Sequence, residues 1–144
     1  MTRVVSHKKR QATRKGWVTA VLHQLHQGMV KPHIVQWVRK LFGKRQVDQC
    51  FIAMPQAEGM HHFGNGVSRL KGQWTGRESR EVAKQLLPIV AGHRATKRDL
   101  DLTGLVRAIL EFLYRAHASR MTSEDIGRLE GSLAEIHGYK NVLI

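Results

Sequence analysis

Cysteine is almost absent from this chain: Cys50 is the only one in 144 residues, beside three prolines and an aromatic content of 6%. A lone thiol cannot close an internal disulfide, and without a C-x-x-C pair the thiolate zinc patterns have no ligands. Cys50 stands next to Phe51 and Ile52, which predicts a buried, inert thiol. No stretch approaches the roughly 20 apolar residues of a membrane span, and the basic start is not followed by the apolar core of a signal peptide. A soluble intracellular protein is the expectation.

The most informative deficit is of acids, because none precedes Asp48. Eleven of the 24 Lys and Arg residues fall between Met1 and Arg45, whereas from Gln46 onward thirteen bases face eleven acids. One end is polycationic and the rest has an ordinary balance. Such asymmetry suits contact with nucleic acid or another anionic surface, and a solubilising or nuclear-import tail would carry the same pattern.

What is present is enough for one core, since 42% of the residues are hydrophobic. Residues 1–16 hold six bases among Ser, Thr, Gln and Gly and lack apolar periodicity, so they read as a disordered basic arm. Residues 17–144 read as a single helical domain. Val18, Val21, Leu22 and Leu25 share one face of a helix from Trp17 to His26, which Gly28 would stop. Pro32 suits the first turn of a second helix, His33 to Phe42, with Ile34, Val35, Trp37, Val38 and Leu41 as its apolar stripe and Gly43 as its end. A short helix from Gln46 to Met54 would be closed by Pro55, and residues 56–74 read as a long glycine-rich loop.

Thr75-Gly76-Arg77-Glu78 fits a capping box and predicts a helix burying Val82, Leu86, Ile89 and Val90, with Pro88 as a late kink and Gly92 as its stop. Another helix is predicted from about Asp101 to Ala118, its core face being Leu102, Leu105, Val106, Ile109, Leu113 and Ala116. Thr122 and Asp125 cap the last helix, in which Ile126, Leu129, Leu133 and Ile136 keep 3,4,3 spacing. The fold class is therefore all-α: five to six helices in an irregular bundle, with no hairpin signal and no sustained period of two.

Chemistry is weakly signalled. His23 and His26, three apart on one helical face with His33 nearby, are the best metal candidates. Yet no Glu lies between the pair and no carboxylate follows within twenty residues, so a zinc hydrolase lacks its parts. His61 and His62, adjacent in a loop, would point apart. There is no G-x-S-x-G, and Gly64-Asn65-Gly66 is a turn-like pair without the rest of a phosphate loop. Asp99 and Asp101 stand beside Lys97 and Arg98, where a charge role at a helix start fits better than a two-metal site. No catalytic residue, metal or cofactor is assigned.

The order of four stretches resembles the Plavaka-type transposases of mushroom-forming fungi, relatives of the CACTA elements. They are Val21-Leu22-His23-Gln24-Leu25-His26-Gln27-Gly28 with Lys31-Pro32-His33; Val47-Asp48-Gln49-Cys50-Phe51 through Met54-Pro55; Met60-His61-His62-Phe63 through Gly66-Val67-Ser68 into Gln73-Trp74-Thr75-Gly76-Arg77-Glu78; and Ile109-Leu110-Glu111-Phe112-Leu113-Tyr114 with the terminal helix. The resemblance implies a cut-and-paste DNA transposase with an RNase H-like domain whose acidic residues hold divalent metal. In that layout the first acids lie upstream of the histidine segment and the final glutamate lies beyond a helical insertion, so this chain would cover the histidine segment (His23, His26, His33) and the insertion alone. It departs from the family in carrying Thr19-Ala20 where an acidic residue is usual, and its basic arm has no family counterpart.

The expectation is a non-catalytic remnant of a nuclear transposase. Its partners would be DNA, held without sequence preference by Lys8, Lys9, Arg10, Arg14, Lys15, Arg39, Lys40, Lys44 and Arg45, and the missing parts of the parent transposase. The alternative is an independent helical module that binds nucleic acid or protein.

Overall fold

The computed structural model describes residues 28–70, 74–93 and 95–143, and among them every regular element is helical. A π-helical segment, Val30–Val35, runs directly into α1 (Gln36–Phe42); α2 (Lys44–Ile52), α3 (Gly76–Ala91), α4 (Lys97–Ala116) and α5 (Ser123–Tyr139) follow, and a 3₁₀ turn, Lys140–Leu143, ends the described chain. The all-α expectation holds. The arm and the helix expected from Trp17 to His26 lie outside the described residues.

Three of the helices start for the same reason. Thr75 accepts the amide of Glu78 at 3.1 Å while the Glu78 carboxylate accepts the amide of Thr75 at 2.7 Å. Thr122 and Asp125 repeat the exchange at 3.1 and 2.9 Å. Thr96 and Asp99 repeat it at 3.2 and 2.9 Å, so α4 starts at Lys97 rather than near Asp101 and ends at Ala116 rather than Ala118. Each box satisfies amide groups that the first turn leaves without partners.

The boundaries on either side of α1 differ from the sequence reading. Gly28 and Met29 are already helical, so the stretch expected to start near His33 begins earlier, and the backbone passes through Pro32 in a π-helical turn; the helix that Gly28 is expected to stop lies outside the described residues. Proline lacks an N–H and its ring crowds the carbonyl four residues back; the wider π turn relieves both conflicts without ending the helix. Gly43, in contrast, takes φ 88° and separates α1 from α2, with its amide donating to the Arg39 carbonyl at 2.9 Å. α2 accordingly begins at Lys44, two residues before the expected Gln46, and stops at Ile52 before Met54-Pro55.

The core gathers Ile34, Val35 and Val38 from the first helical stretch, Val47 and Phe51 from α2, Val82, Leu86, Ile89 and Val90 from α3, and Leu102, Leu105, Val106, Ile109 and Leu113 from α4. The long loop contributes as well, since Phe63, Val67 and Trp74 are buried and Phe63 meets Phe51 edge-on at 5.7 Å. Cys50 is half-buried against this cluster rather than fully buried. α5 packs mainly on α4, where the Tyr139 ring lies over Gly104 so closely that a β-carbon there would come within 2.6 Å of it. Only part of the α5 apolar stripe is covered: Ile136 packs against the core, whereas Ile126 and Leu133 remain 47% and 43% exposed.

Candidate nucleic-acid interface

The loop after α2 is held in place by side chains that the sequence reading does not single out. The Asp48 carboxylate, on α2, accepts the amides of Val67 at 3.0 Å and Ser68 at 2.9 Å. This approach requires Gly66, whose φ is 73° and where a β-carbon would lie 2.7 Å from the Asp48 side chain. From α3, Glu81 accepts the His61 amide at 3.1 Å and Gln85 donates to the His61 carbonyl at 2.6 Å, clamping one residue from both sides. Glu81 also takes the Lys84 ammonium at 2.7 Å, and the Lys84 bond followed by the His61 amide holds its carboxyl below the usual carboxylate range.

His62 fastens the loop as well, whereas His93, two residues beyond α3, ties the end of that helix to α1 and α2. His62 Nε2 lies 3.1 Å from the Ile52 carbonyl and Nδ1 lies 3.3 Å from Gln56 Nε2, which assigns the proton to Nε2. His61 rests edge-on against Phe63 at 4.7 Å. His93 is stacked on Phe42 at 4.2 Å, donates from Nδ1 to the Ile89 carbonyl at 3.0 Å and accepts from Gln46 at 3.1 Å. His33 is exposed, with its ring 5.7 Å from Trp37, and His23 and His26 lie outside the described residues. Among the described residues no three His, Cys, Asp or Glu side chains are grouped to hold a metal ion.

With the loop so anchored, Gly64, Asn65 and Arg69 face Lys44, Arg45, Gln49 and Ile52 across a depression of about 480 Å³. Three cations therefore line one concave surface at the first turn of α2, where no acidic residue caps the amide groups. Among the described residues of the wall the one acid is Asp48, and its carboxylate is engaged by the Val67 and Ser68 amides. The ion pairs among the described residues are Glu81 with Lys84, Arg107 with Glu135 and Glu124 with Arg128, none of which takes up Lys44, Arg45 or Arg69. Lys40 is exposed on α1, and Arg39 is half-buried with Nε and Nη2 lacking a hydrogen-bond partner.

Of the sequence-derived basic set, the structure brings Lys44 and Arg45 together at this depression and places Lys40 and Arg39 on the preceding helix. Lys8, Lys9, Arg10, Arg14 and Lys15 lie outside the described residues. Arg69 is absent from the sequence-derived set, because it joins the others only through the Asp48–Gly66 anchor, a contact spanning a loop with no periodic signal. Comparison with known proteins finds no matching family model, no matching curated protein and no matching solved structure.

Proposed function

We propose that this chain is a non-catalytic helical module that grips DNA through its phosphates and descends from a Plavaka-type fungal transposase acting in the nucleus. The convergence of Lys44, Arg45 and Arg69 on one concave surface carries the DNA part. Lysine and arginine at a helix start recognise phosphate oxygens, position the duplex and read no sequence. The basic arm, with Lys8, Lys9, Arg10, Arg14 and Lys15, extends the same contact.

The non-catalytic part rests on the acids, most of which have structural partners. Asp48 and Glu81 fasten the loop, Glu78, Asp99 and Asp125 cap helices, and Glu124 and Glu135 pair with Arg128 and Arg107. Two-metal strand cleavage needs several carboxylates converging on ions about 4 Å apart. Supercoiled plasmid incubated with the chain and Mg²⁺ or Mn²⁺ is expected to stay intact; cleavage that disappears when one of these carboxylates is replaced would overturn the reading. Terminal inverted repeats and flanking coding sequence with acidic motifs, sought on both sides of the gene, test the lineage.

Fluorescence anisotropy across a salt series tests the DNA contact. Counterion release contributes about −0.9 to the log–log slope per phosphate neutralised, so replacing Lys44, Arg45 and Arg69 together by Ala should reduce the slope by up to about 2.7. An unchanged slope in a folded triple variant would remove this surface from the interface. The second reading, an independent protein-interaction module, is favoured by an apolar groove on another part of the bundle, between α3 and α4.

A further inference from the structure

The depression beside α2 changes character along its length. Arg45, Asp48, Gln49 and Ile52 recur at 0, 3, 4, 7 spacing and share one face of α2, over a rise of about 10.5 Å. Lys44 and Arg45 stand in the first turn, Gln49 in the middle and Ile52, 43% exposed, at the end. Asn65 and Arg69 line it from the loop. Asp48 is committed to the Val67 and Ser68 amides, whereas the carboxamides of Gln49 and Asn65 make no hydrogen bond with any described residue. Cations, free carboxamides and an apolar side chain therefore line one hollow.

A nucleotide carries the complementary chemistry: a phosphate, a base edge of donors and acceptors, and an apolar base face. In an intact duplex the base edges lie on the floor of a groove, which a protruding helix or strand reaches and a hollow does not. Gln49 and Asn65 can meet a base only where it leaves the stack, in a single strand or at a strand end. The depression of about 480 Å³ falls within the roughly 300–1,000 Å³ of clefts that accept a small organic ligand. A phosphate alone would engage the cations and leave the carboxamides and Ile52 without a role.

We propose that the depression takes one unpaired nucleotide of DNA, with Lys44, Arg45 and Arg69 on its phosphate and Gln49 and Asn65 on its base edge beside Ile52. This rests on the DNA reading above and names the form of DNA that the surface selects.

Fluorescence anisotropy of the full chain, at one salt concentration, compares a blunt duplex with a duplex that has a single-stranded overhang and the same number of phosphates. The overhang is expected to bind at least about fivefold more tightly, the lower end of what one base-edge contact contributes. Replacing Gln49 and Asn65 together by Ala should bring that ratio to about one, and circular dichroism confirms the fold. Both positions are exposed and neither side chain is charged, so counterion release does not account for the loss. Equal binding of the two duplexes by the wild type, or a preference that survives in the double variant, overturns the proposal. A free mononucleotide should displace the overhang only at far higher concentration; displacement at equal concentration would make the free nucleotide the ligand and overturn the assignment to a strand. A salt slope lowered by the Lys44, Arg45 and Arg69 replacement, without any overhang preference, sinks this inference and leaves the DNA contact standing. An unchanged slope removes both.

Discussion

Gly66 shows how much of the loop rests on one residue. Its φ of 73° is a conformation that side-chain-bearing residues resist, and a β-carbon would press on Asp48 at 2.7 Å. Gly66→Ala is expected to destabilise the protein by about 2 kcal/mol from backbone strain and displacement of Asp48, measured by denaturant unfolding. Asp48→Ala should cost a similar amount, about 2 kcal/mol, by leaving the Val67 and Ser68 amides without their acceptor. Gly59→Ala is the comparison, because Gly59 also has a positive φ, 75°, but open space around its missing β-carbon. A smaller loss there isolates the Asp48 contact. Glu81 adds a pH signature, since the Lys84 ammonium and the His61 amide favour its ionised form in the folded state. Its stabilising contribution is present above the ordinary carboxylate range and is lost as pH falls through the lowered folded value, because the unfolded chain then binds a proton that the native chain does not. Thermal unfolding from about pH 7 to about pH 3 should therefore show a flatter acid limb for Glu81→Gln than for the wild type.

Among the elements, the caps are the most testable. Thr75→Ala and Thr96→Ala each remove a hydroxyl acceptor at the start of a core helix and are expected to cost about 1 kcal/mol. Ser68→Ala serves as the loop control, since the Ser68 amide, not its hydroxyl, makes the bond to Asp48. Equal loss at Ser68 would mean that the helix caps have no special weight. Where α5 crosses α4, Gly104→Ala should force the Tyr139 ring aside, and overpacking of this kind typically costs about 1–3 kcal/mol. Tyr139→Ala in the same background would relieve the clash, so non-additive unfolding energies in the double variant identify the contact.

For the whole molecule, the proposed DNA contact would draw one salt dependence from two places, the basic residues 1–16 and the Lys44–Arg45–Arg69 surface. Deleting residues 1–16 removes six bases, and an arm that touches about four phosphates should lower the salt slope by about 3.6, beyond what the triple replacement removes. Unfolding of the deleted chain would instead give the arm a structural role, and unchanged DNA affinity would leave it a role such as nuclear import. The helices and most of their inward faces are legible in the sequence, because amphipathic period and Thr-x-x-acid caps are short-range properties: Val82, Leu86, Leu105 and Ile109 are inside as their spacing requires. The start of the helical stretch leading into α1 and the start of α4 depart from the sequence reading for equally local reasons, a π turn that accommodates Pro32 and a Thr96–Asp99 box upstream of Asp101. The sequence by itself determined an all-helical chain with its positive charge gathered at one end. Only the tertiary structure decided that Arg69 joins Lys44 and Arg45, that Phe63, Val67 and Trp74 belong to the core, and that Ile126 and Leu133 stay outside it. Those outcomes depend on contacts between residues distant in the chain, such as Asp48 with Gly66 and Tyr139 with Gly104, which periodicity does not encode.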